Sequence, residues 1–223
     1  SVLELKILAQ LNQVKLSVLK SLEITIIGSA ANMLPLPGAT IVRVAALQNA
    51  GSTMVRSTSS TVLVGVIWIG VAFSYAGVWM ADVDTRYISP VFIAIGLMIL
   101  IGTWLWWRRL NGSGLLFGWI CFTKMLMVLV ESIALYLCFY AMDVSADFAQ
   151  VSGLAVSGVL GSAVSIVPAG LGVREGVSAA LSPIVGLSAA LGFMATFLNR
   201  LIGMSVIVTL AILLTLRKPQ ETR

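Results

Sequence analysis

The sequence predicts an all-α fold, a polytopic transmembrane helix bundle with two inverted, proline-broken re-entrant hairpins. Three observations predict it. The 223-residue chain is 59% hydrophobic and 10% charged, where a soluble domain carries about 25% charged residues. Apolar runs at 61–80, 88–107, 115–141 and 187–216 each reach the roughly 20 residues that a bilayer crossing needs. Two further runs are broken and share a pattern, Gly28-Ser-Ala with Pro35 and Gly161-Ser-Ala with Pro168, 133 residues apart.

Residues 1–16 alternate apolar and polar at helical spacing, which predicts an interfacial amphipathic helix with Lys6 and Lys15 on its wet side. The run 17–34 ends at Pro35 and Pro37, and residues 38–51 form a second short helix containing Arg43 and closed by Gly51. The first break therefore lies near 28–51. A polar link containing Arg56 leads into three clean spans, and Trp104, Trp106 and Trp107 beside Arg108 and Arg109 read as an interfacial belt. The run 148–167 is rich in Ser, Gly and Ala and breaks at Pro168, and a short run at 177–186 contains Pro183. These place the second break near 161–186. The last run is long enough to span with tilt and stops at Arg217-Lys218-Pro219. No polar stretch is long enough to fold alone, so residues 1–223 read as one transmembrane domain. The chain starts at Ser1 without a signal-peptide layout, and the expectation is that one or more N-terminal spans precede it.

Charge supplies a test of the hairpins. If each break is the tip of a hairpin that enters and leaves on one side, three spans separate them, so they enter from opposite faces. One side then receives Lys6, Lys15, Lys20, Arg56, Arg108 and Arg109, with Arg217, Lys218 and Arg223. The other receives Arg86 alone among the basic residues, together with Asp82, Asp84, Asp143 and Asp147. That asymmetry is the positive-inside pattern, and inverted halves are an arrangement transporters use to place a site at the midplane.

Six charges remain at apolar depth: Arg43, Lys124, Glu131, Arg174, Glu175 and Arg200. Each costs at least about 2.5–3.5 kcal/mol at a helix centre. Lys124 and Glu131 share a helix face at i, i+7 and read as path-lining residues or a gating pair; Gly192, Thr196, Asn199 and Gly203 form a small polar stripe beside Arg200. Such charges can simply pair, Glu175 with Arg200 or Glu131 with Lys124. With four basic residues against two acidic ones, the excess beside broken helices whose N-termini carry partial positive charge suits an anion. In a membrane that anion is a lipid phosphate.

Other classes find little support. The basic residues are spread along the chain rather than gathered into a nucleic-acid patch. Cys121 and Cys138 lie in one apolar run as packing residues, and no histidine exists to bind metal or serve as a base. Gly170-Leu-Gly172-Val-Arg-Glu-Gly176 is not a dinucleotide fingerprint, because Glu175 stands where the third glycine is required. Glu131 and Glu175 offer too few oxygens for a metal site, though either could act as a lone acid or base in an intramembrane transferase. The reading is of a protein that is not an enzyme and takes no cofactor.

Val167-Pro-Ala-Gly-Leu-Gly-Val-Arg-Glu-Gly176 resembles the signature of the lysylphosphatidylglycerol synthase transmembrane-region family of flippase-like membrane proteins, and Asn32-Met-Leu-Pro-Leu-Pro-Gly-Ala-Thr-Ile-Val-Arg43 is similar to its first break. The similarity runs from about residue 17 to 216. It implies an inner-membrane protein with re-entrant helices, in which Pro35, Gly38, Arg43, Pro168, Gly170, Gly172, Arg174 and Glu175 carry over. In the best-known members this domain moves an aminoacylated phospholipid between leaflets, and others occur beside envelope polysaccharide and glycolipid pathways. Ala39 stands where the family usually has Glu, and the link Ser57-Thr-Ser-Ser60 lacks the Glu-Arg pair often found there.

The expectation is thus a flippase for a phospholipid or a polyprenyl-phosphate-linked lipid in a bacterial inner membrane. Arg43, Arg174 and Arg200 would hold the phosphate, Glu175 would set their geometry, and Lys124 and Glu131 would line the path. The alternative is a non-catalytic accessory subunit in an envelope glycolipid or polysaccharide synthesis complex. That reading expects a filled core, Glu175 and Arg200 simply paired, and no lipid-sized pocket between the breaks.

Overall fold

The computed structural model describes residues 1–32, 37–82, 87–163 and 172–217. Pro35, Pro168 and Gly170, named above for the breaks, lie outside the described residues, as do Asp84, Arg86, Lys218 and Arg223. Every regular element described is a helix: α1 Val2–Leu11, α2 Val18–Ala31, α3 Gly38–Asn49, α4 Met54–Met80, α5 Ser89–Arg109, α6 Gly114–Ala141, α7 Phe148–Leu154, α8 Val156–Ala163, α9 Val173–Leu181 and α10 Ala189–Arg217. A 3₁₀ turn, Ser182–Val185, follows α9. The all-α fold class is the one expected. Helices α4, α5, α6 and α10 are long and apolar enough to cross a membrane, and they fall on the four runs read from the sequence. The protein is an integral membrane protein.

Helix ends sit where the sequence has capping groups. Ser17, Thr53 and Ser113 accept from backbone N–H groups three residues on, opening α2, α4 and α6. Each satisfies a donor that the first helical turn leaves unpaired. Gly51, with φ of +105°, turns the chain out of α3 in a conformation that a Cβ would strain.

Helix α4 is the axis of the bundle, packing against α3, α5, α6, α7 and α8. Its approach to α5 depends on small residues. A Cβ added at Gly96 would come within 2.6 Å of the Ser74 backbone nitrogen, and Ser89 Oγ donates to the Gly77 carbonyl at 2.7 Å. Without a hydrophobic drive between helices in lipid, such close backbone contact holds them together.

Three apolar clusters stack along α4. At the end where α4 begins, Leu63, Val64 and Ile67 meet Leu5, Leu8 and Leu47. In the middle, Ala72, Tyr75 and Ala76 meet Val128, Val156 and Val159. At the far end, Met80 meets Phe139, Val151 and Val185.

The two short-helix pairs approach this stack from opposite ends. α2 and α3 fold against each other, so closely that a Cβ at Gly38 would overlap the Ala31 carbonyl oxygen. Asn32 completes that corner by accepting from Ala39 N–H at 2.7 Å, and Leu47 returns the chain to the end where α4 begins. α7 and α8 run inward from the far end. α9 and the 3₁₀ turn bring the chain back there, where Gln150 Nε2 donates to the Val185 carbonyl at 2.8 Å. Gly161 lies against the backbone of Arg174, and a Cβ added at this glycine would stand 2.9 Å from the Arg174 Cα. Of the two glycines of the repeated Gly-Ser-Ala, Gly161 lets the second helix of its pair cross closely, whereas a Cβ at Gly28 would stand at an ordinary 3.4 Å from the Ala39 Cα.

Two expectations are corrected. The N-terminal segment is not interfacial. Helix α1 ends at Leu11, and Leu5, Leu8, Ala9 and Leu11 are buried among α2, α4 and α6. Its C-terminal end is clamped to α4: Arg56 Nη2 donates to the Leu11 carbonyl, and Asn12 Nδ2 donates to Ser60 Oγ, both at 2.8 Å. Nor is Trp107 a belt residue. It is fully buried, with Nε1 donating to the Ser113 carbonyl at 3.0 Å, because the tight turn after α5 folds the indole back against Gly112.

Candidate functional site

The charges at depth form two clusters joined by α6. Lys124 and Glu131 lie on either side of the middle of this 28-residue helix, about 10 Å apart along its axis.

The first cluster is built by α1, α3 and α6. Glu4 accepts from Arg43 Nη1 at 2.7 Å through Oε1 and from Lys124 Nζ at 3.0 Å through Oε2. The Ser1 amino group is also 3.1 Å from Oε2. Glu4 and Lys124 are almost wholly enclosed, while the Arg43 side chain keeps 21% of its surface open. Lys124 Nζ stands 4.9 Å from the centre of the Trp68 ring, close enough for cation–π attraction.

The second cluster is built by α6, α9 and α10. Glu131 Oε1 accepts from Arg174 and, at 2.9 Å, from Asn199 Nδ2. Both partners of this ion pair are partly open, at 19% for Arg174 and 31% for Glu131. Next to it, Glu175 Oε1 accepts from Arg200 Nη1 at 2.8 Å with both side chains buried. The other oxygen, Glu175 Oε2, accepts from Gly172 N–H at 2.8 Å. Glu175 thus opens α9 as a cap while neutralising α10. Gly172 has φ of +81°, so the turn into α9 favours a residue without a Cβ.

Helix α10 is fastened to α9 by the small polar stripe. Ser178 Oγ donates to the Gly192 carbonyl at 3.0 Å, and Thr196 Oγ1 donates to Ser178 Oγ at 2.7 Å. A Cβ at Gly192 would strike Ser182. Gly203, read as part of the same stripe, faces open space instead.

The structure joins Glu175 to Arg200 as one of the sequence readings had it, but it does not join Lys124 to Glu131. Two turns of helix keep those side chains apart, and each meets a nearer partner of opposite charge, Glu4 and Arg174. The residue that sequence reasoning missed is Glu4. Assigning the first 16 residues to the interface put it in water, although Glu4, Leu8 and Leu11 fall on one helix face and gave the signal. With Glu4 included, four basic residues at depth face three acidic ones. Glu4 also supplies Arg43 with the carboxylate that Ala39 does not.

Against known proteins, residues 108–211 match the family model described as the lysylphosphatidylglycerol synthase TM region. The match takes in Lys124, Glu131, Arg174, Glu175 and Arg200, while the first break and Arg43 lie before it. No curated protein and no solved structure matches the chain.

Proposed function

We propose, on the premise that residues 108–211 are a lysylphosphatidylglycerol synthase transmembrane region, that the protein moves an anionic lipid between leaflets without chemical change. The substrate in this reading is a phospholipid or a polyprenyl-phosphate-linked lipid, and the membrane is a bacterial inner membrane. The two helix pairs act as re-entrant hairpins, one from each face, and access alternates between them.

The observation that carries the reading is the Arg174–Glu131 pair. It joins the second hairpin to α6 near the middle of the bundle and stays partly open on both sides. An ion pair in that position can exchange partners, because a phosphate oxygen offers arginine the same charge-assisted bonds as a carboxylate. Releasing Glu131 frees α9 from α6, while the buried Glu175–Arg200 pair keeps α9 attached to α10. Hairpin and last span would then move together.

The test is leaflet redistribution of fluorescent phospholipids and of a polyprenyl-phosphate analogue in proteoliposomes. Arg174→Ala, verified as folded, is expected to stop the movement of the lipid class that the unaltered protein moves. Movement that survives this change would sink the assignment.

A second reading draws on the Glu175–Arg200 pair. Glu175 and Arg200 are matched and buried, as an accessory subunit of an envelope glycolipid or polysaccharide synthesis complex would have them. It expects no lipid movement by the folded protein and a partner that co-purifies with it.

A further inference from the structure

The two clusters differ in charge. On α9 and α10, Arg174 and Arg200 are balanced by Glu131 and Glu175. At the first hairpin, Arg43 and Lys124 share one carboxylate, that of Glu4. Among the described residues, the uncompensated basic side chain at depth therefore lies with Arg43 and Lys124, not with the motif that the family signature marks.

Two further observations concern the same place. Trp68, whose ring carries Lys124, has a buried indole N–H with no acceptor among the described residues. A buried donor left unpaired costs about 1–3 kcal/mol, so an oxygen-rich ligand would relieve it. Arg43 is the one member of the triad with appreciable exposure, which gives a ligand a way in.

We propose that Glu4, Arg43, Lys124 and Trp68 form the station that holds the lipid phosphate, with Glu4 as a resident competitor. The phosphate takes the guanidinium of Arg43 and the ammonium of Lys124, and Glu4 reclaims both on release. Arg174–Glu131 is then a gate that opens for passage rather than the seat of the anion. This rests on the lipid-moving reading and locates its binding step. Glu4 keeps affinity moderate, since a station without a competing carboxylate would hold its anion too tightly to let it go.

Binding is measured on the intact purified protein in detergent, by the change in tryptophan emission that Trp68→Phe removes. The titrants are short-chain phosphatidylglycerol, short-chain phosphatidylcholine and inorganic phosphate. Phosphatidylglycerol is expected to bind more tightly than phosphatidylcholine. Arg43→Gln should weaken it by about tenfold or more, the loss of one charge-assisted contact. Glu4→Gln should tighten it, and where that variant does not fold, Glu4→Asp should act in the same direction. Arg174→Gln should move no lipid, and exposed Arg109→Gln should change neither binding nor movement.

Unchanged binding in Arg43→Gln, or weakened binding in a folded Glu4 variant, would overturn the proposal. Saturation by inorganic phosphate with no response to lipid would overturn the lipid assignment. The two ideas fail separately. Binding that depends on Arg43 without any leaflet movement leaves the station standing and removes transport. Movement that Arg174→Ala stops, with binding indifferent to Arg43, does the reverse.

Discussion

Replacing Arg200 by Met tests whether the buried Glu175–Arg200 pair fixes α9 to α10. The carboxylate and guanidinium meet at 2.8 Å, with 1% and 5% of their side chains exposed. Removing the guanidinium leaves Glu175 enclosed, with the Gly172 N–H as its remaining hydrogen bond in the described site. Breaking one side of a buried pair costs about 3–5 kcal/mol, mostly from the stranded charge. A pair at this range with an effective dielectric near 20 gives a similar figure, about 4 kcal/mol or more. Replacing both partners, Glu175→Gln with Arg200→Met, removes the stranded charge. The double variant should recover about 2 kcal/mol or more relative to the sum of the single changes. The assay is reversible unfolding in mixed micelles, run as a double-mutant cycle. A loss below about 0.5 kcal/mol in Arg200→Met, or strict additivity in the double variant, would refute the reasoning.

Leu8→Ala should cost about 2–5 kcal/mol in the same assay, since Leu8 is fully buried in α1; an interfacial α1 would lose far less. Gly38→Ala should destabilise by about 1–3 kcal/mol, because its Cβ would press on the Ala31 carbonyl. Gly65→Ala, at an exposed position of α4 with open space around it, should be neutral or stabilise by up to about 1 kcal/mol. Asn12→Ala should cost about 1–3 kcal/mol, because it removes bonds to Ser52, Ser60 and the Leu8 carbonyl together. Trypsin should then cut more readily at Lys15, which is exposed just beyond α1.

Much of the fold was legible because a bilayer imposes rules that one sequence can display. A span must be about 20 apolar residues long, so α4, α5, α6 and α10 could be placed directly. The two short-helix pairs were legible through the repeated Gly-Ser-Ala, and the structure gives that repeat a physical reason at Gly161, where a Cβ would collide with Arg174. The Glu175–Arg200 pair was one of several pairings that spacing allowed.

What sequence could not decide was the depth of a short amphipathic segment and the partner of each charge. Residues 1–16 have the same alternation whether their apolar face meets lipid headgroups or other helices. The choice was made by Arg56 and Ser60 on α4, which clamp the end of α1 and carry Glu4 inward. Lys124 and Glu131 share a face of α6 in any helical reading, yet their partners come from α1 and α9, far away in the chain. Composition and apolar run length, both local properties, determined that this chain is a helical membrane protein. Charge pairing depends on which helices pack together, so only the tertiary structure decided that, among the described residues, the excess positive charge lies with Arg43 and Lys124.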